Sequence, residues 1–414
     1  MLTNLEGEKS VTTTQQPIDY PFGDYDRLSL HPVSAGLADG EPLVRVRLKY
    51  GGEAWLARRY EDVKMVMSDL RFSRDAAFGK DVPRPLEFIN DQKGILDMDP
   101  PDHTRLRRLV AKAFTAKRVE QFRPRVTQIV DGLLGTMIEA GPPADLMEAV
   151  SWPLPITVIC EMLGVPYEDR EKFRAWTDAS LAITAYDTDE IQQAGANLHD
   201  YMKGLLVERR ERPTDDLLTA LMQARDNDDR LKEDEVVQLA AGLLIGGHET
   251  TANQFGNFVY NLLTHPDELA KLRANPDLVK PAIEELLRHT PLGASAGFIR
   301  IATEDVEIGG VTVRAGEGVY FDLHMANRDP RLFEDAHELQ VDREVNPHLS
   351  FGHGVHHCLG AQLARLELQV ALGSLIRRLP DFGLAVDEAQ VPWKHGRLVR
   401  GLQELPVTWS EVRE

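Results

Sequence analysis

Cys358 stands in the stretch SFGHGVHHCLGAQLARLE (350–367), with two glycines before it, a third two places after it and an amphipathic pattern starting at once. A thiol at a helix N-terminus meets unpaired backbone N–H groups and the positive end of the helix dipole, and both favour the thiolate. Such a sulfur suits an anionic metal ligand, and Gly360 leaves room for a flat group to press against the backbone. The plain alternative is a buried free cysteine in a glycine-rich loop. Cys160, inside ITVICEMLGV, fits that alternative and is read as core. The two cysteines are 198 positions apart, which excludes a CxxC redox site, a four-thiolate metal site and a disulfide framework.

A second chemical stretch is GGHETT (246–251). Two glycines inside a helix each cost about 1 kcal/mol relative to alanine, and the two threonines are β-branched, so this is a poor helix centre. It predicts either a distortion that serves chemistry or a close approach by another helix. His248-Glu249 begins an H-E-x-x-H pattern, but Ala252 replaces the second histidine, which removes a zinc-protease ligand set. Glu285 and Arg288 stand three apart, so a helix would put acid and base on one face. From 103 to 118 there are six cations (Arg105, Arg107, Arg108, Lys112, Lys117 and Arg118) and no acid.

Two patterns support rival chemistries. Gly293-Ala294-Ser295-Ala296-Gly297 matches G-x-S-x-G, so Ser295 would be the nucleophile of a serine hydrolase. That elbow needs a strand before it and a helix after it, whereas here a helix to about Arg288 precedes and the strand-like Phe298-Ile299-Arg300-Ile301 follows. His348, His353, His356, His357 and Cys358 fall within eleven residues and could hold zinc or non-haem iron.

Positioning these groups takes a large, mostly helical chain. Leu106, Leu109, Val110 and Phe114 have helical spacing, as do Val126, Ile129, Val130, Leu133 and Leu134. Asp234 to Thr264 reads as one helix stopping before His265-Pro266, another runs from about Asp277 to Arg288, and a last one follows Cys358 to Leu379-Pro380. LVRVRLKY (43–50), EAWLARR (53–59) and a hairpin over 306–321, with Gly309-Gly310 and Gly316 as turns, supply minor β structure. Residues 1–17 read as a loose polar leader and 18–414 as a single domain, with no repeat or linker. With 47 Lys+Arg against 66 Asp+Glu, the net charge of −19 argues against nucleic acid and acidic lipid as partners. The first twenty residues carry no secretory pattern, and the run from about Val236 to Gly247 is too short to span a bilayer, so a cytoplasmic protein without membrane anchor is expected.

Phe351-x-x-Gly354-x-His356-x-Cys358-x-Gly360 resembles the haem-binding signature of the cytochrome P-450 monooxygenases, with every signature position matched. The resemblance, over about residues 20 to 410, implies that family's mainly α fold with small sheets, haem b as cofactor, O2 as co-substrate and no bound flavin. It makes Cys358 the iron ligand and Gly360 and His356 cofactor contacts, with His356 on a haem propionate. GGHETT then supplies Glu249 and Thr250 as the acid and alcohol that deliver protons to the distal oxygen. Glu285-x-x-Arg288 corresponds to the structural pair supporting the cysteine loop, but the aromatic-Asp-x-x-Arg stretch that often completes it reads Leu339-Gln340-Val341-Asp342-Arg343, which leaves the third partner open. DPPDHTRLRRLVAKAFT (99–115) resembles the helix entry where His103 and Arg107 meet a propionate, and Arg300 matches a further contact. By family position the substrate pocket draws on Phe78, Leu86, Phe88, Ile89, Leu181, Ile183, Leu243, Leu244, Gly247, Leu292, Ala294, Leu398 and Val399, which favours a bulky apolar or amphiphilic small molecule. With no reductase domain of its own, the enzyme is expected to be a monomer fed by ferredoxin reductase and an acidic ferredoxin docked on Arg105, Arg108 and Lys112. SWPLPITVICEMLGVP and DPPDHTRLRRLV look like actinomycete enzymes that tailor polyketides and related products.

Overall fold

One helix organises the molecule. The computed structural model describes residues 16–413 apart from 24, 38–39, 90–91, 229–231 and 294–296, with the side chains of 167 and 224–228 also left out. The longest helix is Glu233–Leu263, starting one residue before the expected Asp234. The Lys232 backbone N–H donates to Glu235 Oε2 at 2.8 Å, and three acids in the first turn face the positive end of the dipole. At its end the Thr264 hydroxyl donates to the Tyr260 carbonyl at 3.2 Å, and Pro266 opens the next helix. Phe255, Phe258, Val259 and Leu262 are buried because Pro153–Leu163, Thr188–Glu211 and Ala361–Arg378 all pack against this helix. It is not broken at GGHETT. The Thr250 hydroxyl donates to the Gly246 carbonyl at 2.6 Å, so the expected distortion is confined to a side chain bonding back on to one carbonyl.

The other periodic segments also fold as helices. Asp102–Ala111 buries Leu106 and Val110, and Ala116–Ala140 buries Val126, Val130 and Leu134 against Ala361–Arg378. The segment expected from Asp277 begins as a 3-10 turn, Pro276–Leu278, before the α-helix Val279–His289.

A six-stranded sheet lies beside the helices, in the order Ile18–Asp19, Leu43–Arg47, Glu53–Ala57, Gly318–Phe321, Arg300–Ala302, Phe72–Ser73. Leu43–Arg47 and Glu53–Ala57 pair antiparallel with Val44 opposite Leu56. Only part of the expected 306–321 hairpin is one: Val306–Ile308 pairs with Val311–Val313 across Gly309 and Gly310, whose φ values of +57° and +86° need glycine. Gly318–Phe321 leaves to join the large sheet. At the far edge Phe72 lies opposite Ala302 and Ser73 opposite Ile301, which brings residue 74 alongside Arg300. A small sheet joins Gly383–Leu384, Pro406–Thr408 and Ala144–Asp145. Residues 1–15 of the expected leader lie outside the described residues. Among the described residues no helix is long and apolar enough to cross a membrane.

Candidate active site

The cysteine loop is closed by a Cys358 N–H to Phe351 carbonyl hydrogen bond of 2.8 Å. Gly354 is required twice over: its φ is +70°, and a Cβ there would lie 2.6 Å from the Met67 carbonyl oxygen. Gly360 has an ordinary φ of −82° and caps the Ala361–Arg378 helix, and a Cβ on it would meet nothing within 4 Å. Cys358 is exposed whereas Cys160 is buried, as expected for the latter. The depressed thiol expected at Cys358 is corrected: burial pushes it above 9.0, outweighing the Gly360 and Ala361 N–H groups, Arg107 and Arg365, which favour the anion. Exposure together with dense protein surroundings places the sulfur in a recess, not on an outer face. A metal cation would add the charge that these donors lack.

Beside the loop two imidazoles and three arginines converge. The His103 and His356 rings lie 4.3 Å apart. Both His356 nitrogens are buried, and among the described residues only the backbone of Met98 approaches the ring. Burial, then Arg74, His103 and Arg300, lower His356 to about 2, while burial, then Arg107 and Arg74, lower His103 to about 4. Arg107 Nη2 donates to the His357 carbonyl at 2.5 Å, so His103 and Arg107 do face the same loop. Arg74, absent from the sequence expectations, belongs to this group. Its only signal would have been the pairing of residues 72–73 with 301–302, which local periodicity does not reveal.

The support beneath the loop is a buried ion network. Arg288 donates to both Glu285 oxygens at 2.7 Å and to the carbonyls of Asn327, Ala336 and Glu338. Arg343 Nε reaches Glu285 Oε2 at 3.0 Å and is the third partner left open by the sequence. Asn346 and the Gln340 N–H complete the shell of Glu285.

On the long helix, Gly242 and Gly246 are exposed and Thr250 half-buried, an open stripe at i, i+4 and i+8. Gly247, expected in the pocket, is corrected: a Cβ on it would lie 3.1 Å from Ile159, so it lets the Pro153–Leu163 helix approach. Leu244 is corrected likewise, being 0% exposed in the helical core, and Leu243 is half-buried. Glu249 leaves the helix on a different face from Thr250. It accepts from Asn253 Nδ2 at 2.9 Å and lies 3.9 Å from Lys394 Nζ, which Asp178 holds at 3.3 Å. Burial raises its pKa above the ordinary carboxyl value, against Lys394. Lys394 and Asp178 are 216 positions apart, and no motif marked them.

A recess of about 850 Å³ opens between the first strands, the 85–88 segment and 183–191, and it takes in Leu86, Phe88 and Ile183 of the expected pocket. Phe78 and the exposed Ile89 are not among its walls. Leu181, Leu292, Leu398 and Val399 are not among its walls either, but they are brought together: Leu398 N–H donates to the Leu181 carbonyl at 2.8 Å, and Gly293 bridges to Val399. The Gly396 carbonyl accepts the N–H groups of Ile183, Thr184 and Ala185 at 2.8, 3.0 and 3.2 Å. Ala294 and Ser295 lie outside the described residues, though the helix before them and the strand after them are the reverse of a hydrolase elbow. Among the described residues no group of three or more His, Cys, Asp or Glu could hold a metal ion, and His348 pairs with Glu284 instead.

Arg108, Lys112, Lys117 and Arg118 are exposed. Arg105 is corrected as a docking cation, because it is engaged with Glu235 and near Asp102.

A glycine-shaped cysteine loop, an acid–alcohol helix and a buried Glu–Arg support define a haem-thiolate oxygenase. The chain belongs to the Cytochrome P-450 family, whose model matches residues 41–395, and is a monooxygenase that uses haem b and O2. It is 54% identical to nocardicin C N-oxygenase from Nocardia uniformis subsp. tsuyamanensis, over 94% of this chain and 98% of that one. It is 48% identical to mycinamicin IV hydroxylase/epoxidase from Micromonospora griseorubida, over 96% and 100%. Among solved structures, the LnmA hydroxylase of the leinamycin biosynthetic pathway of Streptomyces atroolivaceus is 51% identical, with TM-score 0.88 over 95% of this chain and 100% of that one. The residues fit haem: unpartnered buried donors stand where carboxylates would go, and open space lies over Gly360 beside a sulfur with anion-stabilising neighbours.

Proposed function

We propose that the chain hydroxylates or epoxidises a bulky apolar or amphiphilic natural product of macrolide or polyketide size, with electrons from NAD(P)H through ferredoxin reductase and ferredoxin. The observation that carries this reading is the open Gly242–Gly246–Thr250 stripe on a helix packed against the one that follows Cys358. When bound, haem supplies oxygen activation, and its thiolate ligand favours O–O cleavage. Cys358 would hold the iron, while His103, Arg107, Arg300 and His356 would hold the carboxylates and Gly360 leave room for the ring. Gly246 keeps the substrate side clear of a side chain. Thr250 Oγ1 would orient a proton donor, and Glu249, whose pKa burial raises, would supply the proton after turning from Asn253 or through water. The recess, with Tyr20, Tyr50, Leu86 and Phe88 in its walls, supports a substrate of this size. A second reading, oxygenation at nitrogen, is favoured by the 54% identity to nocardicin C N-oxygenase.

Two measurements test this. The reduced protein with carbon monoxide should show the red-shifted Soret band of thiolate ligation, lost in Cys358→Ala and kept in Cys160→Ala; the opposite pattern would end the assignment. Binding difference spectra against macrolides, steroids, aromatic polyketides and nocardicin C should give a spin-state shift for the class accepted. No shift with any of the large scaffolds would remove the size argument.

A further inference from the structure

The register that sets Ser73 against Ile301 puts Arg74 alongside Arg300 at the sheet edge. Asp99 pins the backbone there: its Oδ1 accepts the Arg74 N–H at 3.1 Å, and its Oδ2 accepts the Ser73 hydroxyl. The Arg74 guanidinium lies on the Phe298 ring, 4.0 Å from its centroid. Arg74 is 6% exposed, and its Nη2 is fully buried with no acceptor among the described residues. Asp97 and Asp99 act on it from a distance without forming an ion pair. Around it stand Arg300 and His103, both buried, and His356, whose ring has no partner beyond the backbone of Met98 among the described residues. Burial, then Arg300, pushes Arg74 down to about 9, and burial pushes Arg300 down to about 10. Arg74 Nη2, buried and unmet beside a second buried arginine that reaches only the Phe72 carbonyl at 3.3 Å, suits an anionic partner with several acceptor oxygens.

We propose that Arg74 donates to a haem propionate together with His103, Arg300 and His356, and that Phe298 holds its guanidinium in place. This rests on the reading that these residues hold the haem carboxylates. The stack explains how a long side chain keeps one orientation, and it makes Phe298 a positioning residue.

The test uses the holoenzyme and reads haem transfer to excess apomyoglobin together with the haem reduction potential. Arg74→Gln should lose haem about tenfold faster, as expected for one charge-assisted hydrogen bond. Its potential should fall, because removing a cation near the ring favours the ferric state. Arg74→Lys should restore the potential but only part of the retention, since the planar fork and its stacking are lost. Phe298→Ala should speed haem loss less than Arg74→Gln. Arg300→Gln is the reference. Fast loss in Arg300→Gln with wild-type behaviour in Arg74→Gln overturns the proposal. Wild-type retention in both overturns the carboxylate-cradle reading, and the proposal with it. Fast loss in Arg74→Gln at an unchanged potential reduces Arg74 to a packing role and also overturns it.

Discussion

Glu249 and Thr250 are neighbours in sequence, but their side chains leave the helix in different directions, and this separates their roles. Thr250 is tied to Gly246 on the open stripe, whereas Glu249 is buried against Asn253 and near Lys394. Thr250→Ala should therefore keep substrate binding and first electron transfer while oxygen and NADPH consumption leaks to hydrogen peroxide. Product-to-NADPH stoichiometry decides it, and a wild-type ratio would remove Thr250 from proton delivery. Glu249→Gln should slow turnover with a larger solvent isotope effect and leave coupling less affected. The chemistry of both residues was legible from six letters of sequence. Their divergence was not, because it depends on Lys394 and Asp178, brought in by the chain's far end and by another helix.

At the level of elements, two buried carboxylates act in opposite ways. Glu285 is met on every side, by Arg288, Arg343, Asn346 and Gln340. Arg343→Met should lower the unfolding free energy of the holoenzyme by about 2 kcal/mol and Arg288→Met by about 3–5 kcal/mol, since the latter strips most of the compensation from a buried charge. Equal denaturation midpoints for Arg343→Met and wild type would reduce the network to a pair. Glu367, in the Ala361–Arg378 helix, is fully buried with Oε2 unpartnered, and burial alone raises its pKa well above 4.5. Below 4.5 the group is protonated in both folded and unfolded chains. Above it only the unfolded chain ionises, so stability falls by about 1.4 kcal/mol per pH unit until the raised value is passed. Glu367→Gln should remove that share of the slope; an unchanged slope would mean that the carboxyl finds a partner. The long helices were readable because their apolar spacing is local, even where starts shifted by one or two residues. The sheet order, the departure of Gly318–Phe321 from its hairpin and the place of Arg343 were not, because each depends on pairing between distant segments.

Across the whole molecule, charge is unevenly spread. A net charge of −19 coexists with Arg108, Lys112, Lys117 and Arg118, all exposed within eleven positions of one another. Reversing Arg108 and Lys112 together should raise the apparent KM for ferredoxin and flatten the salt dependence of turnover, with substrate affinity little changed. Unaltered ferredoxin kinetics would return the patch to ordinary solvated surface. On the opposite side of function is the Gly396 carbonyl, which takes three successive amides from residues 183–185 at the rim of the recess. Gly396 has φ +67°, and a Cβ there would lie 2.4 Å from Thr184 Oγ1, so alanine would pry the contact apart. Amides sharing one acceptor must be released together, so Ile183, Thr184 and Ala185 should exchange with deuterium as a single unit. Exchange of a molecule in the recess is expected to follow the frequency of that opening, since Ile183, Thr184 and Gly396 are among its walls. Gly396→Ala should raise the exchange rate of all three amides and the dissociation rate of bound product in the same proportion.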